Sequence, residues 1–425
     1  MTTLFRSVNM VGLGYIGLPT AAILANRGID VIGVDINQNA VDSVNSGDIH
    51  IVEPELALLV SACVSDGKLR ASTKPQHADV FIIAVPTPFK DGKKPDLTFI
   101  EAAALSIAPV LDKGNLVILE STSPVGTTEK LSELLAQCRP DITFPHQNGD
   151  LSDVRVAYCP ERVLPGKILK ELVENDRVVG GITKRCTQKA IEFYKIFVEG
   201  ECLTTDARTA EMCKLTENAF RDVNIAFANE ISIICDQLKI DVWELIHMAN
   251  RHPRVQILKP GPGVGGHCIA VDPWFIVDSS PEHSRLIQTA RNINDNKPYF
   301  VVTKVREAAE KLNRPTIACF GLSFKANIDD LRESPAIEIV RNLANDQIGK
   351  LLIVEPHISQ LPNNLKHLNL DLVTIQDALS TADILVLLVD HDQFINIGED
   401  ALVDKILIDM RGVWSSSYSQ TMDEK

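Results

Sequence analysis

Between Pro260 and Phe275 the chain reads PGPGVGGHCIAVDPWF, with Gly261, Gly263, Gly265 and Gly266 just ahead of one cysteine, Cys268, and a carboxylate four residues later at Asp272. Glycines at that density permit positive φ and close approach of backbone to a ligand, and they hold a thiol at the rim of a cleft. A nucleophile is the reading with chemistry in it; the alternative is a small buried hydrophobe beside a tight turn. Upstream, Lys214 and Asn218 stand four apart in a helical stretch and share a face, which pairs a cation with a neutral donor. A solvated helix face explains the same pair.

A second group of residues opens the chain. Ser7–Gly12 reads as a buried strand running into Gly12-Leu13-Gly14-Tyr15-Ile16-Gly17, an Ala-rich helix follows, and a second strand ends in Asp35. GxGxxG between a strand and a helix, with an acid about 20 residues on, is the pattern of a dinucleotide site. The glycines let backbone approach a pyrophosphate, the helix N-terminus offers N–H groups, and the acid accepts from a ribose hydroxyl. An acid repels a 2′-phosphate, so NAD is expected rather than NADP.

The elements that must position these groups follow from the apolar runs. Strands are expected near 79–85, 115–119, 154–158 and 177–181, and polar turns with Pro86-Thr87, Thr122 and Glu161 follow the first three. In an open parallel sheet such turns border one crevice. An uninterrupted helical pattern from Thr209 to Gln237 would run about 40 Å, and further helices are expected at 241–250 and 282–297. From Pro315 a second strand-loop-helix series begins, in which TADILVLLVDH echoes HADVFIIAVPT and VEP echoes VDI, with GLSFK where the first has GxGxxG. The expected fold is therefore α/β: two Rossmann-like, doubly wound parallel-sheet domains (1–205 and 306–425) joined by a central helical domain (206–305).

Composition excludes other classes. A net charge of −14 argues against a general nucleic-acid or acidic-membrane surface. Nine cysteines without a CxxC pair indicate neither a metal site nor a disulfide framework, and reduced thiols fit a cytoplasmic protein. Arg6 before VNMVGLGYIGLPTAAILA imitates a signal peptide, but the glycine spacing explains that run better, and no apolar run approaches the roughly 18 residues of a membrane span.

With these motifs the chain resembles the UDP-glucose / UDP-mannose dehydrogenase family along essentially its whole length. TSPVG (Thr122–Gly126), CPERVLPG (Cys159–Gly166), EMCKLTENAFRDVNIAFANE (Glu211–Glu230) and DDLRESPA (Asp329–Ala336) carry the resemblance. The cysteine segment together with NRHPRV (Asn250–Val255) is nearest to the branch acting on UDP-N-acetyl-D-mannosamine. The resemblance implies NAD-dependent, four-electron oxidation of a UDP-sugar at C6 through a cysteine thiohemiacetal and thioester, for bacterial surface polysaccharide of the enterobacterial common antigen type. It implies Cys268 as nucleophile, Lys214 and Asn218 at the oxyanion, Asp272 in proton transfer, and Glu161 and Thr122 in acid–base or water-orienting roles. Cofactor contacts fall on Gly12, Gly14, Tyr15, Ile16, Gly17, Asp35, Pro86, Thr87 and Arg332. Substrate contacts fall on Glu161, Arg162, Lys214, Asn218, Gly265, His267, Phe324, Lys325 and Arg411. Arg251 and Arg254 compete for a further place, with Arg254 favoured. His267 belongs either to acetamido recognition or to a supporting contact. A homodimer through the central helices is expected. A simple hydroxyacid dehydrogenase, which needs no Cys268, and a catalytically dead nucleotide sensor remain the competing classes.

Overall fold

Short aliphatic runs buried on both faces are what parallel sheets covered by helices require. The computed structural model describes residues 5–414 apart from Val52, Pro54, Leu164, Pro165, His267 and Asn369. The chain folds as two compact units, one of residues 1–217 with 274–279 and one of 218–273 with 280–425. The first holds β1 (Ser7–Val11), β2 (Asp30–Val34), β3 (Leu69–Ser72), β4 (Val80–Ile83), the small hairpin β5 (Phe89–Lys90) and β6 (Lys94–Pro95), β7 (Leu116–Leu119), β8 (Arg155–Tyr158), β9 (Arg177–Gly181) and β10 (Cys202–Asp206). Among the described residues the main sheet runs β10-β9-β8-β7-β4-β1-β2-β3.

All pairings in that sheet are parallel except β8 with β9. The sequence pattern does not reveal this reversal, because a strand buried on both faces reads alike in either direction. Its register pairs Tyr158 with Gly180 and Ala157 with Gly181. Arg177, at the start of β9, therefore lies at the carboxyl edge of the parallel strands.

The second unit carries β11 (Thr316–Phe320), β12 (Lys350–Val354), β13 (Asp371–Leu372), β14 (Ile384–Leu387) and β15 (Ile406–Asp409), all parallel in the order β13-β12-β11-β14-β15. The echo between the halves is geometric. Gly12, with φ 98°, donates its N–H to Val34 O at 2.8 Å, and Gly321, with φ 96°, donates to Val354 O at the same distance. Asp35 accepts the Leu13 N–H at 3.0 Å, as Glu355 accepts that of Leu322 at 2.7 Å.

The long helix spans Ala207–Leu238. Glu211, Lys214, Asn218, Asp222 and Asn229 recur along it at helical spacing, and Glu211, Asp222 and Asn229 are fully buried. The helix expected to stop at Lys297 instead runs Arg285–Ala309 through Pro298. An internal proline costs about 3 kcal/mol, whereas Val301, Val302 and Val305 beyond it are buried against the second sheet and contribute roughly 1.5–3 kcal/mol each. Burial outweighs the broken hydrogen bond.

Around Arg177 the first unit buries a charged cluster. Arg177 Nη1 donates to Glu161 Oε2 at 2.9 Å, its Nη2 to Leu172 O at 3.3 Å, and its guanidinium carbon lies 5.5 Å from the Tyr194 ring centre. Tyr194, on the helix Lys184–Tyr194, donates its hydroxyl to Glu120 Oε1 at 2.6 Å. Burial pushes the Glu120 carboxyl up to about 7, with Arg177 pulling it down and Glu161 adding to the rise. The folded state thus holds this proton more tightly than the unfolded chain does. Stability falls as pH rises from 4.5 to about 7, and the cost is fully present above that. Glu120→Gln should remove most of it. Against wild type, the variant's stability from urea melts should rise by up to about 3 kcal/mol between about pH 5 and about pH 8.

Candidate functional site

The cofactor end is built at the carboxyl edge of β1. A Cβ on Gly12 would lie 2.4 Å from Ala84 O, and one on Gly17 would lie 1.8 Å from Gly12 O, so packing alone requires both glycines. A Cβ on Gly14 would meet nothing within 4 Å. That exposed position has no packing reason to be glycine, and it suits close approach of a pyrophosphate. The helix Gly17–Asn26 starts without a side-chain cap or an acid in its first turn, which leaves its N-terminus suited to an anion. Asp35 accepts from Leu13 N and, at 2.9 Å, from Asn37 N. Ile36 follows it with 90% of its surface exposed, an apolar residue beside that carboxylate that sequence reasoning passed over. At the ends of β4 and β7, Thr87 donates its hydroxyl to Thr122 O at 2.5 Å, and Ser121 Oγ bridges Val85 N at 2.9 Å and Val85 O at 2.7 Å. Pro86, Thr87 and Thr122 are thus brought together, and these residues fit an NAD site.

The thiol belongs to the second unit. Cys268 is half-buried, and its carbonyl accepts from Val271 N at 3.0 Å and Asp272 N at 2.8 Å. Asp272, buried, accepts from Asn218 Nδ2 at 2.5 Å. The glycines before it are threaded tightly: a Cβ on Gly265 would lie 2.5 Å from Glu333 O, and one on Gly266 would lie 2.9 Å from the Phe324 ring. The Gly266 N–H donates to Arg332 O at 3.2 Å.

A buried relay holds the start of this loop. Arg291 Nη1 donates to Asp222 Oδ1 at 2.6 Å, Asn294 Nδ2 donates to the same oxygen at 2.8 Å, Asn229 Nδ2 donates to Asn294 Oδ1 at 2.8 Å, and Asn229 Oδ1 accepts the Gly261 N–H at 2.9 Å. Sequence reasoning missed these four residues. The available signal was the helical spacing of Asp222 and Asn229 from Asn218.

The remaining expected residues divide. Arg411 is held by Asp390, with Nε at 2.8 Å, and its Nη1 lies 2.7 Å from where a Gly261 Cβ would stand, so it joins the glycine loop. Arg332 pairs with Asp330 at 2.6 Å, and Arg162 pairs with Glu217 at 2.8 Å in the first unit. Lys325 is exposed beside half-buried Phe324, and Arg254 is exposed in a turn where its N–H donates to His252 Nδ1 at 3.3 Å. Lys214, Thr122, Glu161, Tyr15 and Ile16 belong to the first unit, and Cys268, Asp272 and Asn218 to the second. His267 lies outside the described residues.

Glu355, His357 and His391 form a cluster with metal-ligand atoms within 4.8 Å of one another. His391 Nδ1 accepts the Asn327 N–H at 2.9 Å, which places the ring proton on Nε2, 3.1 Å from Glu355 Oε2. The tautomer makes this a buried hydrogen-bonded pair and occupies the nitrogen that a metal would need. Here the second half fills with its own histidine the acid position that Asp35 offers in the first.

Three family models match the chain: the NAD binding domain of the UDP-glucose/GDP-mannose dehydrogenase family over residues 6–198, its central domain over 208–296 and its UDP binding domain over 318–416. The chain is 64% identical over 412 residues, 97% of each protein, to the NDP-N-acetyl-D-galactosaminuronic acid dehydrogenase of Ralstonia nicotianae. It is 60% identical over 418 residues to the UDP-N-acetyl-D-mannosamine dehydrogenase of Escherichia coli strain K12, covering 96% of this chain and 99% of the other. The solved UDP-D-ManNAc dehydrogenase of Pyrococcus horikoshii superposes with a TM-score of 0.86 at 38% identity, over 96% of each chain. NAD is the cofactor. The chain belongs to the UDP-glucose/GDP-mannose dehydrogenase family and is an NAD-dependent UDP-sugar dehydrogenase.

Proposed function

We propose that the chain oxidises C6 of UDP-N-acetyl-D-mannosamine to the uronate through a covalent intermediate on Cys268. The observation that carries this reading is Cys268 on a loop pinned by Asn229, with the Asn218–Asp272 pair four residues on. The three-part division at 205 and 305 assigns NAD to the first part, the thiol to the second and the UDP-sugar to the third. Identity of 60% to the E. coli enzyme supports the manno sugar, and a cytoplasmic role in surface polysaccharide of the enterobacterial common antigen type follows from that reading. The 64% identity to the Ralstonia protein favours, as a second reading, the same chemistry on the galacto epimer. UDP-N-acetylglucosamine is the third arm of the comparison.

Bound NAD supplies the hydride acceptor for both oxidations. Lys214 and Asn218 stabilise the oxygen as charge develops on it, where a cation and a neutral donor in a water-poor site are worth most. The Cys268 thiolate adds to the C6 aldehyde and carries the acyl group as a thioester after the second oxidation. Asp272, fixed by Asn218, serves proton transfer with Lys214, and Glu161 with Thr122 orients the water that releases the acid. Arg411, Lys325, Phe324, Gly265, Arg254 and Arg162 anchor the nucleotide sugar, while Arg332 and His267 complete the contacts.

Two measurements test this. Absorbance at 340 nm should report two NADH per sugar, with kcat/KM highest on the manno epimer; one NADH with a stable aldehyde rejects the covalent route, and a higher kcat/KM on the galacto epimer selects the second reading. Cys268→Ser should stop acid formation and leave UDP-sugar affinity within about threefold, since only the soft nucleophile is lost.

Residues on the long helix also carry the assembly. Phe220 (71% exposed), Phe227 and Ile234 recur every seven residues on one apolar stripe with Leu238. We assign this stripe to a homodimer interface. Phe227→Glu should shift the light-scattering mass from dimer to monomer; a monomeric wild type rejects the assignment.

A further inference from the structure

We infer that Arg177 is a positioning residue shared by two carboxyls, Glu161 at the sheet edge and Glu120 behind it, and that protonation of Glu120 sets how firmly Arg177 holds Glu161. This rests on the reading that Glu161 handles the water of thioester hydrolysis. The antiparallel entry of β9 is what sets the guanidinium 2.9 Å from Glu161 Oε2. The other oxygen, Oε1, accepts the Arg162 N–H at 2.6 Å. Both carboxylate oxygens are thus fixed by N–H donors inside the first unit.

Behind this pair, the strands and the helix packed around Arg177 contribute titratable groups. Glu120 follows β7, Cys159 and Glu161 follow β8, Arg177 starts β9, Tyr194 ends the helix Lys184–Tyr194, and Cys202 on β10 pairs with Arg177 in register, its thiol pushed up by burial. Arg177, Tyr194 and Cys159 are fully buried, and Glu120 and Glu161 nearly so. Burial raises the Cys159 thiol to about 12 and lifts Tyr194 well above its ordinary value, so neither ionises near neutrality. Glu120 is the group left to change charge. Glu120 Oε2 and Arg177 Nε have no hydrogen-bond partner among the described residues, so the two groups are coupled by charge without a bond between them. While Glu120 is neutral, one guanidinium balances one carboxylate. Once Glu120 ionises, two carboxylates share that cation in a low-dielectric site, and Glu161 becomes a better proton acceptor.

The step concerned is the last one. Water oxygen bonds to the thioester carbon, one water proton passes to the Glu161 carboxylate, and the C–S bond breaks with its electron pair on sulfur. This leaves the acid, which loses its proton to solvent, and the Cys268 thiolate. The sulfur is already acylated when the step begins, so the pH dependence of adduct decay does not report thiol ionisation.

Decay of the acyl adduct on Cys268, followed by quenching and intact-protein mass, is the experiment. In wild type the rate should rise about tenfold from about pH 6 to about pH 8, the two sides of the Glu120 titration. Glu120→Gln, which keeps an acceptor for Tyr194, should flatten this rise to within about twofold, because the titrating group is gone. Arg177→Lys, with its single-point cation, should slow decay about tenfold or more while the KM for UDP-sugar stays within about threefold. Glu161→Gln is the reference. If it decays at the wild-type rate, the role of Glu161 falls and this inference with it. If it is slow but Glu120→Gln keeps the wild-type pH rise, or Arg177→Lys decays normally, only the inference falls. Should Arg177→Lys fail to fold, the profile of Glu120→Gln decides.

Discussion

The structure depends on a polar stripe along one helix. A helix this long ordinarily buries an apolar stripe at spacings of three, four and seven. Here Glu211, Asp222 and Asn229 take such positions and are buried, each with its partners supplied. Glu211 accepts from Gly126 N at 2.6 Å and Thr128 N at 2.7 Å, so it caps the turn after TSPVG and the helix that follows. Asp222 balances Arg291, and Asn229 holds the glycine loop. Breaking a buried pair such as Asp222–Arg291 by removing one partner costs about 3–5 kcal/mol, because it leaves a charge uncompensated. Each unit thus has its own polar anchors on this helix, Glu211 in the first and Asp222 and Asn229 in the second.

Much of the architecture was legible because its signals are local. GxGxxG between a strand and a helix, the acid at 35 and the recurrence of the same pattern after Pro315 all follow from runs of a few residues. The cysteine loop was legible by its glycines, and the structure gives most of them a steric reason. What was not legible is non-local. Nothing in RVVGG says that β9 runs against its neighbour, yet that direction alone brings Arg177 to Glu161. Pro298 reads as a helix end, and only the burial of the valines beyond it carries the helix through. The partners of Glu120 likewise come from three other elements.

Charged groups are sorted by burial in a way that net charge hides. An overall excess of acid sits with local cations paired to acids: Arg411 with Asp390, Arg332 with Asp330 and Arg162 with Glu217. These pairs are partly exposed, so each adds little to stability. Their use is orientation, since a guanidinium tied on one side presents its remaining donors in a fixed direction.

The two Rossmann-like halves differ in what they leave unsatisfied. In the first, Asp35 stands at the strand end with an exposed apolar neighbour and capacity to accept from a ligand. In the second, the equivalent Glu355 is closed off by His391 and three backbone N–H groups, those of Leu322, Ser323 and His357. A fold that completes its own hydrogen bonding has the same internal energy whether or not a dinucleotide is present. Dinucleotide-linked stability thus belongs to the first copy, and the loop ends of the second are left to a different ligand.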